Sequence, residues 1–405
     1  MKILVLNAGS SSQKSCLYEI QANMNLSNSV EPLWEASIDW TAHEDYGLLK
    51  VFAKGKTRKI DLPLDNRASG VQIMLETITH GTTQVLSNLE EINVVGHRVV
   101  HGGNQYSGAC VITPEVQEAI KDLIPLAPNH NPAHLEGINA IASTLKDIPQ
   151  IAVFDTAFHT TIPPEAKTYP LPMQWYEKGI QRYGFHGISH QYVAQRTATI
   201  LEKPLEELNL ISCHLGNGCS ITAIKNGQSV NTSMGFTPLE GLMMGTRSGS
   251  IDPAILIHLI SEYGYNAPQL NELLNKQSGL LGVSGVSADV RSVINAMTTG
   301  NTQAQLALDI YIHRIKSVIG SMLPSLPQLD ALVFTAGVGE NSTLIREKVC
   351  QGFEFLGLKI DALKNSNRCI DKNIADAGSS VDVVVVNTQE DWAIALQCIQ
   401  IYQNL

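Results

Sequence analysis

The chain has 405 residues, 44% of them apolar, enough to bury the cores of two or three domains. Lys and Arg number 28 against 38 Asp and Glu, a formal charge of −10, so there is no broad basic field for nucleic acid or an anionic membrane, and any anionic ligand must be held by a few focused cations. Seven cysteines, odd in number, scattered and without a C-x-x-C, indicate neither a disulfide framework nor a zinc ribbon and point to a reducing cytoplasm.

The first apolar run, 3–6, passes directly into Asn-Ala-Gly-Ser and is too short for the hydrophobic part of a signal peptide. No later stretch approaches the roughly eighteen apolar residues of a membrane span. Short β-branched runs alternating with amphipathic segments of helical length predict an α/β protein. In chain order, strands are expected at 2–6, 92–101, 150–158, 208–215, 330–337 and 381–387, and helices at 114–124, 134–147, 190–202, 253–262, 267–274, 302–323, 342–352 and 391–404. The Pro-rich stretch 161–172 reads as a structured loop rather than a linker.

ILVLNAGSSSQKSCLYEI (3–20) and LISCHLGNGCSITAIKNG (210–227) each run strand, polar turn with Gly, strand, about 207 residues apart. The echo suggests a duplicated domain with one phosphate-facing hairpin in each half, with two unrelated Gly-rich hairpins as the alternative. A Gly/Ser loop after a strand offers close backbone approach and hydroxyl donors, and Lys14 adds a mobile positive charge. A third turn, 334–342, leads from a strand into a helix expected to begin near Ser342, where backbone N–H groups would cradle an anion. Neither G-x-x-x-x-G-K-[ST] nor G-x-G-x-x-G occurs, so these are not P-loop or dinucleotide turns.

The pairs His97/His101, His130/His134 and His186/His190 have the four-residue spacing of zinc ligands on a helix. The first lies in a strand-like run, the second spans Pro132, the third spans Gly187, and none has the Glu of H-E-x-x-H, so catalytic zinc is not expected.

NAGSSSQK (7–14), GHRVVHGG (96–103), HNPAHLEGI (130–138), FDTAFH (154–159), RYGFHGISH (182–190), HLGNGCSI (214–221), TSMGFTPLEGLMMGTRSG (232–249) and VFTAGVGENS (333–342) resemble, in order and spacing, segments of the acetate kinase family within the acetate and sugar kinase/heat-shock 70/actin superfamily. The resemblance runs from residue 1 to about 392. It implies an α/β fold of two duplicated actin/Hsp70-like (ribonuclease H-like) domains with an active-site cleft between them. The first lobe would be 1–154 plus 391–405, and the nucleotide-binding lobe 155–390. It also implies reversible, Mg²⁺-dependent transfer of the ATP γ-phosphoryl group to acetate, giving acetyl phosphate and ADP, in a cytoplasmic homodimer with no nucleic-acid or membrane partner. A propionate (short-chain acyl) kinase and a non-catalytic or filament-forming nucleotide-binding protein are the alternatives; the joint presence of Arg98, Arg247 and His186 favours the enzyme.

Phosphoryl transfer spreads charge over three oxygens in a loose transition state, so it is served mainly by positioning and electrostatics. By the resemblance, Arg98 and Arg247 are the two active-site arginines, one on the substrate carboxylate and one on the transferring phosphoryl group. His186 would hydrogen-bond the phosphoryl oxygens, and His130 points to the same site. Asp155 matches the family's active-site acid or base, yet an acceptor carboxylate with a pKa below about 5 has no proton to lose at neutral pH, so orienting an Arg or a Mg²⁺-bound water is the better role. Mg²⁺, with Mn²⁺ as a substitute, is implied at Asn7 and Glu390; Thr388 and Asp391 have the spacing of a capping box, placing Glu390 in the first turn of the last helix. ATP/ADP is assigned to Ser10, Ser12 and Lys14, to His214, Leu215, Gly216, Asn217 and Gly218, to Asp289, Val290 and Arg291 near ribose and adenine, and to Gly337, Val338, Gly339, Glu340 and Asn341. The acyl pocket maps onto Arg98, Val100, Asn129, Phe185 and Pro238. Asn129 stands where Leu is usual, and Val100 would crowd a tail longer than acetate's. Ser250 and Asn231 each replace a usual Asp, and NTQED stands where TNEE is commoner.

Overall fold

The computed structural model describes residues 1–9, 12–21, 24, 29–64, 67–128, 130–366 and 370–405, divided between two units, Met1–Ala157 with Gln389–Leu405, and Phe158–Thr388. In the first unit, β1 (Lys2–Ala8), β2 (Ser12–Glu19), β3 (Trp34–Asp39), β4 (Gly47–Ala53), β5 (Lys56–Leu62), β6 (Val94–Val99), β7 (Cys110–Val111) and β8 (Gln150–Phe154) make one sheet in the order β5-β4-β3-β2-β1-β6-β8-β7. β1, β6 and β8 run parallel, and their nearly continuous buried stretches are those of strands covered on both faces. β3 to β5 are antiparallel, and β3 and β4 bury only alternate residues: Trp34, Ala36 and Ile38, then Leu49, Val51 and Ala53. The sequence reading missed these three strands because their core residues come singly between polar or exposed ones.

Helices Arg67–Thr79 and Asn131–Thr144 contribute Met74, Leu75, Ile78 and Ile141 to the core that holds Leu17, Trp34 and Val51. The last helix, Glu390–Tyr402, packs on β1 and β6. A Cβ on Gly96 would stand 2.5 Å from Cys398 Sγ and 2.9 Å from Ile394 Cγ2, so glycine is what lets β6 and this helix approach.

In the second unit, β9 (Asn209–Leu215), β10 (Cys219–Lys225), β11 (Gln228–Thr232), β12 (Ala331–Thr335), β13 (Lys372–Asn373) and β14 (Asp382–Val385) form the order β11-β10-β9-β12-β14-β13. β9, β12 and β14 are parallel, and β9 to β11 antiparallel. The five-strand order β3-β2-β1-β6-β8 therefore recurs as β11-β10-β9-β12-β14 with the same strand directions. Strands β1 and β9 begin 207 residues apart, as do β2 and β10, so the sequence echo marks a duplication rather than two unrelated hairpins.

Several expectations are corrected locally. The strand expected over 150–158 stops at Phe154, and Ala157–Thr161 is a 3₁₀ turn; Asp155 N makes a last bond to Val99 O as β6 ends. The strand expected over 330–337 ends at Thr335 because Ala336 adopts φ +63°, and Ala336–Asn341 is a short helix rather than an open turn. Ser342 caps the following helix, Thr343–Cys350. Helices begin earlier than expected at Asn131, with Pro132 in the first turn, and at Gly187; Arg67–Thr79, Gly279–Ser284 and Val290–Thr298 were not anticipated. Lys14 lies in β2 opposite Asn7, not in the turn. No capping box forms at Thr388: its hydroxyl bonds Thr335 Oγ1 at 2.6 Å and accepts from Ala336 N at 2.9 Å, while Asp391 accepts from Asn7. Glu390 is nonetheless the first residue of the helix.

Candidate functional site

Parallel strands that end side by side carry chemistry-bearing residues at or just beyond their C-terminal ends, where α/β sheets bind ligands. In the first unit these ends bring together Asn7, Arg98 and Asp155. Arg98 donates from Nε at 3.1 Å and from Nη2 at 2.6 Å to Asp155 Oδ2, and from Nη1 to Asn7 Oδ1 at 3.1 Å. Asp155's side chain is 3% exposed and Arg98's 18%. Burial opposes the Arg98 charge, but the Asp155 and Glu390 carboxylates outweigh it and hold the guanidinium above its ordinary value. Burial pushes the Asp155 carboxyl up, against the pull of Arg98.

Asn7 faces the start of the last helix, donating from Nδ2 to Asp391 Oδ1 at 2.9 Å and to Glu390 Oε2 at 3.4 Å. Burial raises the Asp391 carboxyl, and Asn7 opposes the rise. Glu390 and Asp391 supply hard oxygens that suit Mg²⁺, an ion held by one or two carboxylates and completed by water and phosphate. Asn7, expected as a ligand, has its amide oxygen engaged by Arg98 and its NH₂ on the carboxylates. Lys14 is exposed, and its charge is felt at Asp391. Gly9 N donates to Ser12 O at 2.7 Å, closing the hairpin turn. Val100 is buried, and His130 is the N-cap residue of Asn131–Thr144, its ring 6.5 Å from that of His134. Ser10 and Asn129 lie outside the described residues.

In the second unit, the ends of β9 and β12 open onto a cavity of about 840 Å³. Gly216, Asn217, Asp289, Val290, Arg291, Gly337, Val338 and Asn341 line it; His214, Leu215, Gly218, Gly339 and Glu340 do not. Ile294 and Leu344 add apolar walls that sequence reasoning missed, because only the helices after 289 and 342 turn them inward. Asp289 caps the helix Val290–Thr298 and pairs with exposed Arg291 at 2.6 Å. Glu340 accepts from Thr388 N at 2.9 Å, tying β12's exit to β14's, and burial raises its carboxyl.

Arg247 and His186 meet elsewhere in this unit. Arg247 donates from Nη1 to Pro238 O at 3.0 Å; among the described residues no carboxylate pairs with it, and burial lowers its pKa. A Cβ on Gly218 would lie 3.5 Å from Arg247 Nη1 and 3.5 Å from His186 Nε2, so both groups border the space over this glycine. His186 adopts φ +57° as the N-cap residue of Gly187–Leu201, bonds Ser220 Oγ through Nδ1 at 2.9 Å and stacks on His214 at 4.2 Å. The carbonyl of buried Phe185 meets His159 Nε2 at 3.0 Å.

A cluster not singled out from sequence holds the Pro238 loop. Arg182 donates to the carbonyls of Thr232, Ser233 and Met234 at 3.0, 3.2 and 3.1 Å and pairs with Glu240 at 2.6 Å, and Tyr169 hydrogen-bonds the same carboxylate. Arg182 stands within RYGFHGISH, which was the available signal. The two replaced aspartates find neutral partners: Ser250 Oγ accepts from Gly241 N at 3.0 Å, and Asn231 donates to Ser325 Oγ at 3.3 Å.

The family model described as the acetokinase family matches residues 2–396. An acetate kinase of Rippkaea orientalis is 60% identical over 398 residues, 98% of each chain. The crystal structure of Porphyromonas gingivalis acetate kinase superimposes with a TM-score of 0.91 at 41% identity, covering 99% of each chain. A propionate kinase from Francisella tularensis gives a TM-score of 0.89 at 38% identity over 98% of each chain. The chain belongs to the acetokinase family.

Proposed function

We propose that this chain is an acetate kinase: it transfers the γ-phosphoryl group of ATP reversibly to acetate, giving acetyl phosphate and ADP. An acetate oxygen attacks the γ-phosphorus as the bond to the β-phosphate oxygen breaks. No proton moves, because the acceptor is already a carboxylate at neutral pH. The observation that carries the reading is Arg247, a half-buried guanidinium with no carboxylate partner among the described residues, bordering the same space as His186. A cation partly withdrawn from water without a carboxylate beside it is stabilised when an anion completes it. Arg247 and His186 take the oxygens of the transferring phosphoryl group, and Arg98 takes the acetate carboxylate. Asp155, its Oδ2 already held twice by Arg98, orients that arginine instead of acting as a base.

The cavity of about 840 Å³ is assigned to ATP, with Gly216, Asn217 and Gly337 on the phosphates and Asp289 and Arg291 toward ribose and adenine. Glu390 and Asp391 would hold Mg²⁺, which when bound neutralises charge on the β- and γ-phosphates. A homodimer is supported by the helix Pro253–Tyr263, which has no buried residue and exposes Ile255, Ile257, Ile260 and Tyr263 by 44 to 68%. No helix among the described residues is long and apolar enough to cross a membrane, and the free thiols fit the cytoplasm.

A hydroxylamine trap run with ATP, Mg²⁺ and acetate, propionate or butyrate tests the reading. Hydroxamate forms fastest with acetate. Faster product from propionate replaces the substrate, and no product from any of the three acids leaves a nucleotide-binding protein without this activity.

A further inference from the structure

His186 is held in a way its expected task does not by itself require. Its backbone is left-handed, a conformation unfavourable for a non-glycine residue that persists only when its surroundings enforce it. Its Nδ1 meets Ser220 Oγ at 2.9 Å; the same Ser220 Oγ meets His190 Nε2 at 2.7 Å, and His190 Nδ1 meets Ser212 Oγ at 3.0 Å. Ser212, Ser220 and His190 are all fully buried. Ser212 sits on β9, Ser220 on β10, and His190 one turn into the helix that His186 begins. The chain of bonds therefore ties the helix start to the hairpin whose turn carries Gly218.

We propose that Ser220 and His190 are positioning residues that fix the tautomer of His186, so that its Nε2 carries the hydrogen toward the phosphoryl group. The inference rests on the acyl-kinase reading for the identity of that group, and on the geometry alone for the relay.

One hydroxyl proton decides the direction. Ser220 has a single O–H, so it donates to one imidazole and accepts from the other. Burial keeps His190 neutral, with one N–H. If that hydrogen is on Nε2, His190 donates to Ser220, Ser220 donates to His186 Nδ1, and the hydrogen of a neutral His186 is left on Nε2. The reversed chain puts the hydrogen on His186 Nδ1 and a lone pair on Nε2, which would repel an anionic oxygen. Only the first direction gives a donor on the side of the ring that borders Arg247 over Gly218.

The test is ¹⁵N NMR of the full chain labelled in histidine, at pH 8, with the His186 signals assigned by loss in His186→Gln. The native ring should be protonated at Nε2 alone. In Ser220→Ala the single-tautomer signature should disappear, with kcat falling about tenfold or more and KM for ATP changing less than about twofold. His190→Gln is the second variant, which decides the matter if the first does not fold. A native His186 protonated at Nδ1 or at both nitrogens overturns the proposal, and so does an unchanged tautomer or an unchanged kcat in the folded variants. Failure of the kinase reading shows up separately, as native protein that yields no acyl phosphate while its tautomer remains measurable.

Discussion

Arg98 places both Nε and Nη2 on a single oxygen of Asp155, Oδ2, and its remaining nitrogen Nη1 on Asn7. All three residues stand at the ends of adjacent parallel strands, so the arginine's direction is set by the sheet and not by a flexible surface rotamer. Removing one partner of a buried pair leaves the other charge uncompensated, at about 3–5 kcal/mol. Arg98→Ala should therefore lose both stability, read by denaturant unfolding, and turnover. Asp155→Asn, which keeps an acceptor oxygen, should lose less stability yet still lower kcat, because Arg98 is no longer firmly aimed. An Asp155→Asn enzyme with native kcat would remove the orienting role.

Arg247 predicts the opposite combination. Its charge is half-buried with no carboxylate paired to it among the described residues, so Arg247→Met, which keeps the bulk and drops the charge, should leave the melting temperature equal or higher. Turnover should fall about 10²–10³-fold, the scale of losing one preorganised electrostatic group. Thermal melts and initial rates on one preparation check both signs. A marked loss of stability would mean that the guanidinium has a structural partner.

Acid should weaken the fold through its buried histidines. Burial pushes His97, His101 and His159 down to about 4 from an ordinary 6.5, so the native state keeps them neutral while the unfolded chain takes up their protons. Their contribution is complete above pH 6.5 and is lost as pH falls toward 4, at about 1.4 kcal/mol per pH unit for each histidine. Urea midpoints should be flat above neutrality and drop steeply between pH 6.5 and 4. His97→Gln should shallow that slope by about one proton's worth.

Gly96→Ala probes the seat of the last helix. The added methyl would collide with Cys398 and Ile394, costing about 1–3 kcal/mol by overpacking. Because that helix begins at Glu390, the Mg²⁺ concentration for half-maximal rate should rise with it. A stability loss with an unaltered Mg²⁺ requirement would separate the helix from metal binding.

The parts whose signals are local were legible in the amino-acid order. The apolar runs of β1, β8 and β12 announce buried parallel strands, and the repeat of strand, glycine turn and strand announces the duplication. The family motifs name Arg98, His186 and Arg247 without any geometry. How those groups are partnered emerges only when the chain is folded. Arg98 meets Asp155 across 57 positions and Asn7 meets Asp391 across 384, distances bridged by strand order and helix docking, which no local pattern encodes. The same holds for Thr388, whose spacing suits a capping box but whose hydroxyl is claimed by Thr335 on a neighbouring strand's exit. The Ser220–His190 chain behind His186 likewise joins a helix to two strands, and its burial removes the water that would otherwise satisfy each polar group alone.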